Sequence, residues 1–107
     1  KHGNILHYEN GKLHNNVLPS VITVSGSKVW YKNGLKHREG GPAVKLHNGK
    51  EAWYLNGKLH RIGGPALKYP DGSTFYYIEG KLHKESDHEM FVKRYKRRAI
   101  IDSVVNE

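Results

Sequence analysis

The chain has 107 residues, 18 Lys and Arg against 10 Asp and Glu for a formal charge of +8, and no cysteine. Disulfides, thiolate metal sites and thiol nucleophiles are therefore excluded, and no apolar run approaches the roughly 18 residues that a membrane span needs. The cation excess suggests either an acidic partner, which means nucleic acid, anionic lipid headgroups or an acidic protein face, or a lysine-rich surface that simply keeps the chain soluble. A chain without disulfides fits a reducing compartment, so a cytoplasmic location is expected. It opens on Lys1 rather than Met, so a trimmed N-terminus is expected as well.

The tetrad His7-Tyr8-Glu9-Asn10 returns as Trp30-Tyr31-Lys32-Asn33, Trp53-Tyr54-Leu55-Asn56 and Tyr76-Tyr77-Ile78-Glu79, each 23 residues after the last and each followed by a glycine. A period of this length marks one supersecondary unit stacked along an array, each unit burying its face against the next. The first copy diverges most. Asn16-Val17-Leu18-Pro19 stands where the second has Glu39-Gly40-Gly41-Pro42, and Val21-Ile22-Thr23-Val24 reads as a stronger strand than its counterparts.

Residues 30–52 read WYKNGLKHREGGPAVKLHNGKEA and residues 53–75 read WYLNGKLHRIGGPALKYPDGSTF. Each carries two turn signals, Asn33-Gly34 and Asn48-Gly49 in one, Asn56-Gly57 and Asp71-Gly72 in the other. Such pairs favour primed turns, in which both central residues take positive φ, so two antiparallel strands per unit are expected. Alternation along these strands puts Val29, Tyr31, Ala52, Tyr54, Phe75 and Tyr77 on one face, which reads as the core side. The other face mixes Trp30, Trp53, Tyr76, Leu55 and Ile78 with Lys28, Lys32, Glu51 and Thr74. A partly exposed ladder of Trp30, Trp53 and Tyr76 is expected there. Gly40-Gly41-Pro42 and Gly63-Gly64-Pro65 should bend or bulge the returning strand. Leu35-Lys36 inverts the Lys-Leu of the other copies, which should flip a side chain locally or be absorbed by the adjacent turn.

The pattern ends after Lys84. Ser86-Asp87-His88-Glu89 spells a capping box with Ser86 as N-cap, and no glycine or proline follows, so a helix is expected over residues 87 to about 105. Phe91, Tyr95 and Ala99 fall near one face, which should cover the open edge of the last hairpin. Ile100, Ile101 and Val104 leave an apolar patch for a partner or for a second copy of the chain, a homodimer through this helix.

With those residues in view, the chain resembles MORN-type repeat proteins, and within them the bacterial and viral variant written W-Y-x-N-G-K-x-H-R-x-x-G-P-A. Trp53-Tyr54, Asn56-Gly57-Lys58, His60-Arg61 and Gly64-Pro65-Ala66 match that variant residue by residue, and the resemblance covers about residues 5–84. It departs from ordinary units of the family at the His-Arg pair and the Gly-Pro-Ala. The resemblance implies an elongated, twisted β-meander used as a scaffold or docking surface, in an antitoxin-like or phage setting.

The histidines are the most suggestive chemical groups. His14, His37, His60 and His83 recur one period apart, followed by Asn15, Arg38, Arg61 and Lys84. In one reading they form a column that binds phosphates through Arg38, Arg61 and Lys84. In the other, favoured because the residue recurs in every unit, each imidazole packs on a neighbouring Trp or Tyr and hydrogen-bonds the turn backbone. Metal binding is not expected, since equivalent residues lie roughly 9.5 Å apart, two strand spacings, against roughly 2 Å per ligand bond. The run Lys93-Arg94-Tyr95-Lys96-Arg97-Arg98 carries five cations in six residues. It reads either as a nucleic-acid contact with Tyr95 stacking or as a solvated helix whose long side chains cover apolar surface. Helical geometry spreads those charges around the axis.

No serine stands in a nucleophile elbow and no phosphate-binding glycine loop occurs, so neither an enzyme nor a cofactor is expected. The fold expected is mainly β, an elongated antiparallel β-meander of about four 23-residue hairpin repeats over residues 1–85, capped by one C-terminal helix over residues 86–107. The expected function is a non-enzymatic protein-interaction module, inhibitor or antitoxin-like, that binds an acidic protein surface. Its candidate binding residues are Trp30, Trp53, Tyr76, His37, Arg38, His60, Arg61, His83 and Lys84. The alternative is a nucleic-acid-binding protein that uses the His/Arg column with Lys93, Arg94, Lys96, Arg97 and Arg98 of the basic helix.

Overall fold

The structure, a computed structural model, describes residues 4–13 and 18–105. His14, Asn15, Asn16 and Val17 lie outside the described residues, as does the side chain of Val104. The chain is mainly β, with one large antiparallel sheet and one C-terminal helix.

Local backbone chemistry places the turns. At Asn10-Gly11, Asn33-Gly34, Asn56-Gly57 and Glu79-Gly80 both central residues have positive φ, between 50° and 84°, as a primed two-residue turn requires. Asparagine reaches that region readily, whereas Glu79 holds it without that advantage. The second set of turns differs from expectation. There only Gly26, Gly49 and Gly72 have positive φ. Thr23, Leu46 and Tyr69 donate N–H to the carbonyls of Ser27, Lys50 and Ser73 and accept one from the glycine. Each loop therefore spans three residues, a type I turn followed by a left-handed glycine. Asn48 and Asp71, expected at positive φ, instead accept the N–H two residues on, from Lys50 and Ser73.

The strands run in the order β1 (Ile5–Leu6), β2 (Tyr8–Glu9), β3 (Lys12–Leu13), β4 (Val21–Ile22), β5 (Lys28–Val29), β6 (Tyr31–Lys32) and β7 (Leu35–Lys36). They continue as β8 (Val44–Lys45), β9 (Glu51–Ala52), β10 (Tyr54–Leu55), β11 (Lys58–Leu59), β12 (Leu67–Lys68), β13 (Thr74–Ile78) and β14 (Lys81–His83). Eight of them form one sheet, β1-β4-β5-β8-β9-β12-β13-β14, while β2-β3, β6-β7 and β10-β11 are separate hairpins closed by the Asn-Gly turns. Trp30 and Trp53 stand at the corners between the two. The Trp30 N–H donates to Ala43 in the large sheet at 2.7 Å, and its carbonyl accepts from His37 at 3.0 Å. Trp53 repeats this with Ala66 and His60. In β13 the corner is absent and the strand runs unbroken through Tyr76.

The corner changes which face is buried. Simple alternation does not carry through it, so Trp30 is 5% exposed and belongs to the core with Ala43, Ala52, Ala66 and Ile78; Phe75, expected inside, is also exposed, in β13 where no corner occurs. Trp53 and Tyr76 are half-buried. In the large sheet one row pairs Val21, Val29, Val44, Ala52, Leu67 and Phe75 across the strands. The other row places Lys28 opposite Lys45, then Glu51, then Lys68. The whole is a slab of 48 × 40 × 17 Å rather than a narrow ribbon, with a radius of gyration of 15.5 Å, above the roughly 13 Å of a compact chain of about 100 residues.

The inversion at Leu35-Lys36 is not absorbed by the turn. Leu35 lies against Gly57, where Lys12 lies against Gly34 and Lys58 against Gly80. Lys36 reaches over the Tyr54 ring, with Nζ 5.2 Å from its centre. The two side chains have exchanged places.

After β14 the chain turns at once. Asp87 N–H donates to the Lys84 carbonyl within a 3-10 turn (Glu85–Asp87), and α1 (His88–Val105) follows. Ser86 sits inside that turn, and its expected cap on a helix starting at residue 87 is replaced by the tighter turn. Phe91, Val92 and Tyr95 are half-buried, but Ala99 is exposed, and Ile100 and Ile101 are 65% and 53% exposed. No helix among the described residues is long and apolar enough to cross a membrane.

Candidate functional site

Arg38 and Arg61 build the centre of the candidate site. The Arg38 guanidinium carbon is 3.8 Å from the Trp30 ring centre, and that of Arg61 is 3.9 Å from Trp53. Nη1 of each donates to the carbonyl of the proline four residues on, Pro42 and Pro65, at 3.1 Å. The second glycine of each pair closes the other side. A Cβ at Gly41 would stand 2.9 Å from Arg38 Cζ, and one at Gly64 3.0 Å from Arg61 Cζ. A planar, weakly hydrated guanidinium suits such a slot, where an ammonium would not. Trp, Arg, Gly and Pro therefore act as one packed group in each copy. Among the described residues neither guanidinium has a carboxylate partner.

The histidines bind the backbone of the following turn. His37 Nδ1 accepts the Asn56 N–H at 2.9 Å, and His60 Nδ1 accepts the Glu79 N–H at 3.0 Å. Each thus holds the first positive-φ residue of the next turn. Their other nitrogens differ. His37 Nε2 lies 3.3 Å from Glu39 Oε2, whereas Nε2 of His60, a residue 5% exposed, is buried with no partner among the described residues. The Tyr95 ring packs over it at 4.6 Å. Burial lowers the His60 pKa against a smaller upward pull from the Glu79 carboxylate, so the ring is neutral at pH 7.

The fourth copy meets α1 instead of another turn. His83 Nε2 is 2.7 Å from His88 Nδ1, and His88 Nε2 donates to the Ile62 carbonyl at 2.7 Å. His83 stacks on Phe91 at 4.4 Å, and His88 lies 4.9 Å from Tyr76. His88 thus covers Tyr76 as the arginines cover the tryptophans, while Lys84, the counterpart of Arg61, is exposed.

Two clefts of several hundred Å³ flank α1 among the described residues. One, of about 390 Å³, is lined by Arg38, Glu39, Trp53, Leu55, His60, Arg61, Ile62, Tyr95 and the Gly40-Gly41 pair. The other, of about 550 Å³, includes Ile62, Gly63, Gly64, Tyr76, Glu85, His88, Glu89, Val92, Lys93 and Lys96. The five cations of the helix disperse. Lys93 pairs with Glu89 at 3.6 Å and shares the larger cleft with Lys96, Arg98 pairs with Glu79 at 3.2 Å, Arg94 lies 5.8 Å from the Phe91 ring, and Arg97 is exposed.

The structure thus brings together Trp53, Arg38, His60 and Arg61, and separates them from Lys84 and the outer helix cations. The roles of Ile62, Leu55, Tyr95 and His88 escaped the sequence reading. One signal was visible, since Ile62 occupies the slot held by Glu39 one period earlier. No group of three or more His, Asp or Glu side chains among the described residues could hold a metal ion. Comparison with protein-family models gives no match, and neither the curated proteins nor the solved structures contain one.

Proposed function

We propose that the chain is a non-enzymatic protein-interaction module, an array of about four 23-residue hairpin units that sets a basic face against an acidic surface of a protein partner. The setting we propose is cytoplasmic, in a bacterium or phage, with an inhibitor or antitoxin-like role. The single observation that carries the reading is the row across the large sheet, where Lys28 stands directly opposite Lys45 and Lys68 follows with only Glu51 between. Like charges opposite one another destabilise a sheet, and an acidic partner would relieve that repulsion on binding. The guanidinium groups of Arg38 and Arg61, without carboxylate partners among the described residues and backed by indoles, supply the aromatic and cationic anchors typical of interfaces. Trp30 acts from beneath through Arg38, and the exposed Ile100 and Ile101 offer a second contact, including one to another copy of the chain.

Nucleic acid draws on the same charge, but the dispersed partners of Lys93, Arg94 and Arg98 give it less support. Titration against random DNA and RNA and against poly-glutamate, over increasing salt, tests the proposal. Nucleic-acid binding that is weak even at low salt, with poly-glutamate retained, is the expected result. Tight nucleic-acid binding that falls steeply with salt would overturn it.

A further inference from the structure

We propose that the cleft walled by Trp53, Ile62 and Tyr95 seats one aspartate or glutamate side chain of the partner, its carboxylate accepting hydrogen bonds from His60 Nε2–H and from a guanidinium N–H of Arg38 or Arg61. The inference rests on the acidic-partner reading and narrows it to one seat.

Two equivalent histidines meet different fates. Both His37 and His60 use Nδ1 as an acceptor for the next turn's backbone N–H. A neutral imidazole has one proton, so that proton sits on Nε2 in each. In the earlier copy a carboxylate receives it, Glu39 at 3.3 Å. One period later Ile62 replaces Glu39, and His60 Nε2 is left buried with no partner among the described residues. A buried donor without an acceptor is destabilising, a loss that an incoming acceptor would recover.

The surroundings select a carboxylate next to apolar atoms. Besides the smaller cleft that it shares with Glu79, His60 lines the one that holds Arg38, Arg61 and Ile62. That cleft, about 390 Å³, falls within the roughly 300–1,000 Å³ of ligand-holding clefts. Arg38 and Arg61 bring positive charge with N–H groups beyond the one each gives to proline. Trp53, Leu55, Ile62 and Tyr95 supply the apolar wall. Glu39 at the rim is engaged by His37. Because the Tyr95 ring covers the imidazole at 4.6 Å, it turns aside as the acidic side chain enters.

The test uses the full chain and two blocked peptides, acetyl-Leu-Glu-Leu-amide and its Gln counterpart, with binding followed at the His60 imidazole by NMR. The Glu peptide should move the Nε2 resonance, and the Gln peptide should bind about tenfold more weakly or worse, as expected on losing a charged hydrogen bond. Ile62→Glu supplies an internal carboxylate, as Glu39 does for His37, at a residue that is already exposed. It should weaken the Glu peptide by about tenfold or more. Equal binding of both peptides, or an unchanged response in Ile62→Glu, would overturn the seat. So would random RNA displacing the peptide from His60, which would make it a phosphate site. If poly-glutamate binds but His60 stays unmoved, the seat alone fails. If poly-glutamate does not bind the natural chain, the broader reading fails with it.

Discussion

The guanidinium of Arg38 stands 3.8 Å from the centre of the Trp30 ring, and this contact joins a buried indole to a bent loop. Lysine cannot reproduce both the stack and the hydrogen bond to Pro42. Arg38→Lys should therefore lower stability by about 1–3 kcal/mol, read as a lower urea midpoint. Arg97→Lys, at an exposed site, should leave the midpoint within about 0.5 kcal/mol. Equal effects of the two would mean that the stack contributes nothing.

The two glycines of each pair answer different needs. Gly41 faces Arg38, where an added Cβ meets Cζ at 2.9 Å, while Gly63 has open space around it and no positive φ. Gly41→Ala should cost about 1–3 kcal/mol by pushing the guanidinium off its slot. Gly63→Ala should be neutral or slightly stabilising. In an Arg38→Ala background the Gly41→Ala cost should shrink, and a double-mutant cycle without that coupling would refute the packing argument.

His60 makes stability depend on pH in a defined direction. Burial lowers its pKa below the ordinary 6.5, so the unfolded chain takes up a proton that the folded chain resists. The stabilisation is fully present above pH 6.5 and is lost as pH falls from there toward the lowered folded value. One such group adds a slope of at most about 1.4 kcal/mol per pH unit. Urea titrations at successive pH values should give a shallower acid slope for His60→Asn than for the natural chain. Parallel slopes would place the effect elsewhere.

The contact from His83 through His88 to the Ile62 carbonyl fastens the start of α1 to the sheet. His88→Leu keeps apolar contact with Tyr76 but removes both hydrogen bonds. Amide hydrogen exchange in the first turns of α1 should then accelerate, while the Asn56 N–H held by His37 stays protected. Unchanged exchange in α1 would show that ring packing alone holds the helix.

Much of the fold could be read from local chemistry. Asn33-Gly34 and Asn56-Gly57 name their turns because positive φ is a property of those residues themselves. The run after Lys84, free of glycine and proline, announced a helix for the same kind of reason. Asp71-Gly72 was read as a primed turn because the glycine stood out, but only the glycine takes positive φ, and the same three-residue loop forms with Val24, His47 or Pro70 at its first position. The face assignment failed at Trp30, since alternation presumes a straight strand and the chain bends there to serve two sheets.

The candidate site divides along the same line. The backbone role of His37 and His60 could be anticipated from their recurrence, and aligning Glu39 with Ile62 already marked one histidine as different. That His60 Nε2 is left partnerless under Tyr95 could not be anticipated, because α1 is remote in sequence and packs there only once the array has formed. By itself the sequence determined the turn residues, the mainly β character, the helix and the charge, all set by interactions between near neighbours. Tertiary structure alone decided which indole is buried, what each guanidinium touches and which imidazole lacks a partner, because burial and pairing depend on elements that meet only when the chain is folded.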